Sequence, residues 1–189
     1  AGGDSYVYDV RGRLVRETKA GGDVLDYTRD AAGNVTLFGS PHGTTSYTYD
    51  ALGRLATVAA ASGVTTYAYD EIGNLAGVTR PNGVTTTYGH DALDRLVSLA
   101  HAGPGGPIAA YVYTLGPAGH RTRVDESGPA TTGRTVRYTY DAADRLTREQ
   151  IEEPGLPAYA IDYTYDAAGN RTKMVRGGTA TDYAYDADD

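Results

Sequence analysis

One nine-residue pattern recurs along the chain and constrains its fold more than any other feature. Tyr6-Val7-Tyr8-Asp9-Val10-Arg11-Gly12-Arg13-Leu14 returns as Tyr47-Thr48-Tyr49-Asp50-Ala51-Leu52-Gly53-Arg54-Leu55. It returns again as Tyr67-Ala68-Tyr69-Asp70-Glu71-Ile72-Gly73-Asn74-Leu75. Two further copies run from Tyr138 and Tyr140 through Asp141 and Asp144 to Leu146, and from Tyr163 and Tyr165 through Asp166 and Gly169 to Arg171. Weaker copies begin at Tyr27, Tyr88 and Tyr111, and a truncated one opens with Tyr183 and Tyr185 and stops at Asp186-Ala187-Asp188-Asp189. The first tyrosines stand at 6, 27, 47, 67, 88, 111, 138, 163 and 183. Self-similarity at a period near 20 residues is the signature of a repeat architecture.

Each position of the pattern has a physical reason. Tyrosines at i and i+2 put both rings on one face of a strand, because strand side chains alternate. Asp-x-x-Gly then suits a type I turn closed by a left-handed residue, with the Asp carboxylate accepting from a backbone N–H two residues on. Where the glycine is missing, Asp94 and Asp144 stand in, and Asp is among the few residues with a Cβ that tolerate that conformation. A polar residue and then Leu or Val open the returning strand, as in Arg54-Leu55-Ala56-Thr57-Val58. A second reversal, such as Asn82-Gly83 or Ser62-Gly63 followed by threonines, links one copy to the next. Two strands and two turns per repeat predict an all-β chain: a repetitive antiparallel hairpin meander of about 17 or 18 strands. The pattern makes residues 1–189 a single array of about nine repeats, with inserted loops near 101–109, 125–136 and 150–158.

The repeat also explains an odd composition. Leu, Ile, Val and Phe make up 31 of the 189 residues, below the roughly 20% at which disorder is suspected. Yet the net charge is only −7, so the second mark of disorder is missing. Sixteen of the 17 tyrosines lie in the repeat, Tyr159 being the exception. A buried Tyr removes about 150–250 Å² from water, so tyrosine takes over from the aliphatic core. The absence of cysteine excludes disulfides, thiol nucleophiles and zinc-thiolate sites. No apolar run reaches the 18 or so residues of a membrane span, and the start at Ala1-Gly2-Gly3-Asp4-Ser5 lacks the basic and apolar regions of a signal peptide. The 17 Lys and Arg are scattered among 24 acids, which argues against a nucleic-acid partner.

Tyr-Asp followed by x-x-Gly-Arg/Asn-Leu at this pitch resembles the YD repeat of the Rhs and teneurin-type proteins, over essentially the whole chain. The resemblance implies a curved or spiralling β-sheet, part of an Rhs-type shell that in bacterial relatives encloses a C-terminal toxin domain; in teneurins a similar shell serves adhesion. It implies secretion or display at a bacterial surface. The bacterial plug sequence Asp-Pro-x-Gly is missing, since no proline here follows Asp. The chain therefore reads as a segment of a longer shell, or a short array, without plug or payload.

The candidate site residues are structural. A tyrosine ladder is expected of Tyr6, Tyr8, Tyr47, Tyr49, Tyr67, Tyr69, Tyr138, Tyr140, Tyr163, Tyr165, Tyr183 and Tyr185. Turn roles are expected of Asp9, Gly12, Asp50, Gly53, Asp70, Gly73, Asp141, Asp144, Asp166 and Gly169. A carboxylate repeated once per hairpin is what a turn needs and catalysis does not. His42, His90, His101 and His120 are dispersed and lack metal-ligand spacing. No nucleophile elbow or phosphate loop is present. The reading is therefore a non-enzymatic structural module, without cofactor or metal, whose partners are the remainder of a larger Rhs-type chain and its enclosed toxin. One alternative stays open, a surface adhesion or carbohydrate-binding array with a glycan on its Tyr/Thr face; self-association through exposed sheet edges is expected of a segment that does not close on itself. An enzyme reading requires the three inserted stretches to converge around two carboxylates.

Overall fold

A computed structural model describes residues 3–129 and 131–186. Ala187, Asp188 and Asp189 of the truncated last repeat, and Ala130 in the inserted stretch 125–136, lie outside the described residues. The described chain holds seventeen β-strands and no helix, so no helix is long and apolar enough to cross a membrane. It divides into two compact units, Ala1–Thr85 and Thr86–Asp189.

The first unit is an antiparallel meander of eight strands. These are β1 (Ser5–Tyr8), β2 (Leu14–Thr18), β3 (Val24–Arg29), β4 (Val35–Ser40), β5 (Gly43–Tyr49), β6 (Leu55–Ala60), β7 (Gly63–Tyr69) and β8 (Leu75–Thr79). Each pairs with its sequence neighbour. The second unit continues in the same manner with β9 (Thr85–His90), β10 (Leu96–Gly103), β11 (Gly106–Leu115), β12 (Arg121–Gly128), β13 (Thr131–Tyr140), β14 (Leu146–Glu152), β15 (Tyr159–Tyr165), β16 (Arg171–Arg176) and β17 (Thr179–Asp182). Here too, each strand pairs with the next.

The register shows how the motif works. Tyr49 lies opposite Leu55, Tyr69 opposite Leu75 and Tyr140 opposite Leu146, with a register shift one residue before the turn in each case. That shift is the bulge that accompanies a type I turn plus a left-handed residue. The first tyrosine of each pair faces a large side chain: Tyr47 faces Val58, Tyr67 faces Val78 and Tyr163 faces Met174. In the second unit Val124, Val136 and Ile151 form one cross-strand row and are 2–3% exposed. Tyr113 and Tyr159 close its two ends. Val136 and Tyr138 are two apart in β13, so this aliphatic row lies on the tyrosine face.

Two sequence expectations shift. The repeat placed at Tyr111 begins two residues later, because Leu115 lies opposite Arg121 as Tyr49 lies opposite Leu55, and Gly116 to Gly119 make the turn. Tyr113 is thus its first aromatic, Leu115 holds the second position and Gly116 takes the place of Asp. The stretch 101–109 is no loop: β10 runs to Gly103 and β11 resumes at Gly106. The extra residues lengthen both strands together, which keeps their backbone groups paired; at 125–136, likewise, only the segment between Gly128 and Thr131 separates β12 from β13. Between β14 and β15, Glu153–Ala158 do form a connection.

Candidate functional site

The residues singled out by the repeat form a lattice rather than a single centre. At its base is the turn. Asp50 Oδ1 accepts from the backbone N–H groups of Leu52 and Arg54, both at 2.9 Å, while Oδ2 accepts from Arg54 Nε at 2.7 Å. Asp9, Asp91 and Asp141 repeat this with Arg13, Arg95 and Arg145. Asp70 and Asp166 accept from the N–H groups of Gly73 and Asn74, and of Gly169 and Asn170. The backbone N–H after the left-handed turn residue, of Arg13, Arg54, Arg145 and Asn170, is the foremost cause holding Asp9, Asp50, Asp141 and Asp166 below the usual carboxylate range. Asp91 is lowered to about 2, first by the Arg95 guanidinium. Gly12, Gly53, Gly73 and Gly169 all have positive φ, and so do Asp94 and Asp144, at 60° and 61°.

The arginine after the left-handed turn residue ties one hairpin to the next. Arg145 Nη1 donates to Asp166 O at 3.0 Å, Arg95 Nη1 to Gly116 O at 3.4 Å and Arg13 Nη1 to Asp30 O at 3.5 Å. Arg54 and Arg145 also lie over the rings of Tyr69 and Tyr165, at 4.4 and 4.9 Å from the centroids. Cation–π contacts at partly exposed sites are worth about 0.5–1 kcal/mol each.

The second tyrosine ties the same hairpins in the opposite direction. The hydroxyls of Tyr49, Tyr69, Tyr140, Tyr165 and Tyr185 donate to the carbonyls of Val35, Leu55, Arg121, Leu146 and Arg171, at 2.8–3.1 Å. Each acceptor is the residue that opens the preceding returning strand. At Arg29, where a tyrosine is replaced, Nε donates to Leu14 O at 3.4 Å. Among the described residues the ring–ring pairs are Tyr27–Phe38 and His120–Tyr140. Neither of these is a pair of tyrosines, and seven tyrosine rings lie under an arginine guanidinium instead. Tyr6 and Tyr8 stay about half exposed in β1. Tyr163 is pushed up to about 12, first by burial and then by the hydrogen bond it donates to Glu149 Oε1 at 2.6 Å.

In the repeats that keep the full motif, such as Tyr47 to Leu55 and Tyr67 to Leu75, the structure brings the tyrosine pair, Asp and Gly to one turn, and Arg and Tyr join neighbouring repeats. It assembles no cluster of His, Asp and Glu able to hold a metal ion among the described residues. His101 Nδ1 lies 3.0 Å from Thr86 Oγ1, and His120 Nε2 lies 3.1 Å from Asp144. Two inserted stretches adjoin in a hollow of about 300 Å³ lined by Thr135, Glu152, Glu153 and Leu156. Its carboxylates are adjacent in sequence, and Glu152 pairs with Arg137 at 3.5 Å. The residues that sequence reasoning missed are the tying arginines and the alternation of Arg13, Arg54, Arg95 and Arg145 with Asn34, Asn74, His120 and Asn170. That alternation is visible in the sequence; its meaning lies in contacts some 20 residues apart.

Comparison with known proteins bears on this lattice. The family model described as RHS Repeat matches residues 8–37, 49–85 and 69–108. No curated protein matches the chain in sequence. The fold is similar to the crystal structure of TcdB2-TccC3-TEV, with a TM-score of 0.71 and 21% identity over 92% of this chain and 10% of that one. The crystal structure of TcdB2-TccC3 without hypervariable C-terminal region is similar too, with a TM-score of 0.70 and 20% identity over 92% of this chain and 10% of that one. This chain thus spans about a tenth of the length of the solved chains that it resembles.

Proposed function

We propose that this chain is a member of the RHS repeat family, whose model matches residues 8–37, 49–85 and 69–108, and that it is a non-enzymatic stretch of wall, one array of about nine repeats within a larger Rhs-type shell. The shell encloses or presents a toxin carried on the same longer chain and works outside the cell or at its surface. One observation carries this reading: the polar side chains of the repeat are used in holding hairpin to hairpin. Asp fixes the turn, Arg reaches forward to the next turn and the tyrosine hydroxyl reaches back to the previous returning strand. A wall needs such ties at every step. The fold shared with TcdB2-TccC3 chains about ten times longer supports a segment of a larger body.

Limited proteolysis of the full-length parent protein tests enclosure. The region beyond the array is expected to resist cleavage as long as the array is folded. If that region is cut as fast within the parent as when produced alone, enclosure is wrong.

A further inference from the structure

The lattice departs furthest from its own rule around β11 and β12, and a cleft of about 540 Å³ opens there. Four positions change together. Leu115 replaces the second tyrosine, Gly116 replaces Asp, His120 takes the place of Arg or Asn, and Arg121 takes the place held by Leu in most repeats. At the equivalent of Leu115 in other repeats, a tyrosine ring spans to the preceding returning strand and its hydroxyl donates to a carbonyl there. By the same register the carbonyl that such a hydroxyl would meet is that of Leu96. Leu115 has neither the ring nor the hydroxyl, and Leu96 and Leu115 form one wall of the cleft. Tyr138 and Tyr140 form another, with His120 stacked on Tyr140 at 5.0 Å between centroids.

Charge defines the mouth of the cleft. Arg121 is exposed, lies over the Tyr113 ring at 4.4 Å, and pairs with no carboxylate among the described residues. The neighbouring cation Arg95 is taken by Asp91, and His120 faces Asp144. A chain of net charge −7 therefore presents an uncompensated guanidinium beside a cleft lined by Leu96, Leu115 and two tyrosines. Guanidinium and tyrosine surfaces are the ones that most often anchor protein contacts, and a guanidinium matches the planar geometry of a carboxylate.

We propose that this cleft takes an aromatic side chain carrying a hydrogen-bond donor, a tyrosine above all, offered by an extended peptide next to an acidic residue whose carboxylate pairs with Arg121. The guest ring occupies the space that Leu115 leaves, and its hydroxyl donates to Leu96 O as repeat tyrosines donate elsewhere. The inference rests on the geometry of the second unit alone and is independent of enclosure.

The repeat itself supplies variants compatible with the fold. Leu115→Tyr restores the lattice and fills the slot; Arg121→Leu restores the residue found at positions 14, 55, 75, 96 and 146. The probe is an acetylated, amidated hexapeptide containing Tyr-Asp, titrated into the whole chain by calorimetry. Wild type is expected to bind it. At least tenfold weaker binding is expected for Leu115→Tyr, for Arg121→Leu, and for peptides with the tyrosine changed to alanine or the aspartate to asparagine. Arg171→Leu makes the same exchange away from the cleft and is expected to bind as wild type does. The proposal fails if wild type shows no binding up to millimolar peptide. It fails equally if Leu115→Tyr or Arg121→Leu bind undiminished with melting temperatures retained, or if Arg171→Leu loses as much.

Discussion

At Gly53 the backbone turns with φ +76°, and no atom lies within 4 Å of where a Cβ would be. The constraint on that residue is therefore conformational rather than steric crowding. A left-handed residue with a Cβ costs roughly 1–2 kcal/mol, and Asp and Asn suffer least. Gly53→Ala is expected to lower stability by about 1 kcal/mol in urea denaturation, and Gly53→Asp by less, since Asp94 and Asp144 already hold that conformation in this chain. Equal losses for the two variants would show that backbone conformation is not what selects the residue. The turn aspartates set a pH dependence. Folded Asp9, Asp50, Asp91, Asp141 and Asp166 all titrate below the 3.8 of an ordinary Asp, and Asp91 near 2. Between those values the unfolded chain binds more protons than the folded one, so stability falls as pH falls. The melting temperature is expected to be level above about pH 5 and to drop from near pH 4 towards pH 2. Asp91→Asn is expected to melt lower at pH 7 and to lose less on acidification. A profile that is flat to pH 2 would rule out the carboxylate ties as a source of stability.

The hairpins were legible in the sequence because their causes are local. Tyr-x-Tyr sets a face and Asp-x-x-Gly closes a turn within nine residues, so Tyr47 to Leu55 can be read without knowing anything else about the chain. The frame at Tyr111 was not legible for a reason of the same kind. Strand periodicity is two, so Tyr111-Val112-Tyr113 fits the aromatic positions as well as Tyr113-Thr114-Leu115 does, and Gly116 removes the Asp that would have fixed the choice. Residues 101–109 misled because Gly and Pro suggest loops, whereas Gly106, with φ +110°, closes a longer hairpin. What no local pattern reveals is the row of Val124, Val136 and Ile151, which the register assembles from three strands. With Ile151 only 2% exposed, Ile151→Ala is expected to cost about 2–5 kcal/mol in urea denaturation. A loss below 1 kcal/mol would mean that the tyrosines carry the tyrosine face without this row.

Across the whole molecule the alternation of Arg and Asn turns groups hairpins in twos. Arg13 reaches the turn before Asn34, Arg95 the turn before His120 and Arg145 the turn before Asn170. Asn34 Nδ2, by contrast, reaches only its own Asp30, at 3.0 Å. Four arginine-tied pairs result, since Arg54 lies over Tyr69 of the Asn74 hairpin. The division between the two compact units, at Thr85, falls after the second pair. Because the described strands within each unit pair with their sequence neighbours, stability should be close to a sum of local terms, and opening should follow the weakest ties. Arg145→Asn removes a forward tie but keeps a side chain that the same position carries elsewhere. Native-state hydrogen exchange is expected to quicken in β13 to β16 and to stay unchanged in β1 to β8. Faster exchange confined to β13 and β14 would make the single hairpin the cooperative unit. Faster exchange throughout would mean that the array opens as one body, against the pairing that the Arg and Asn turns describe.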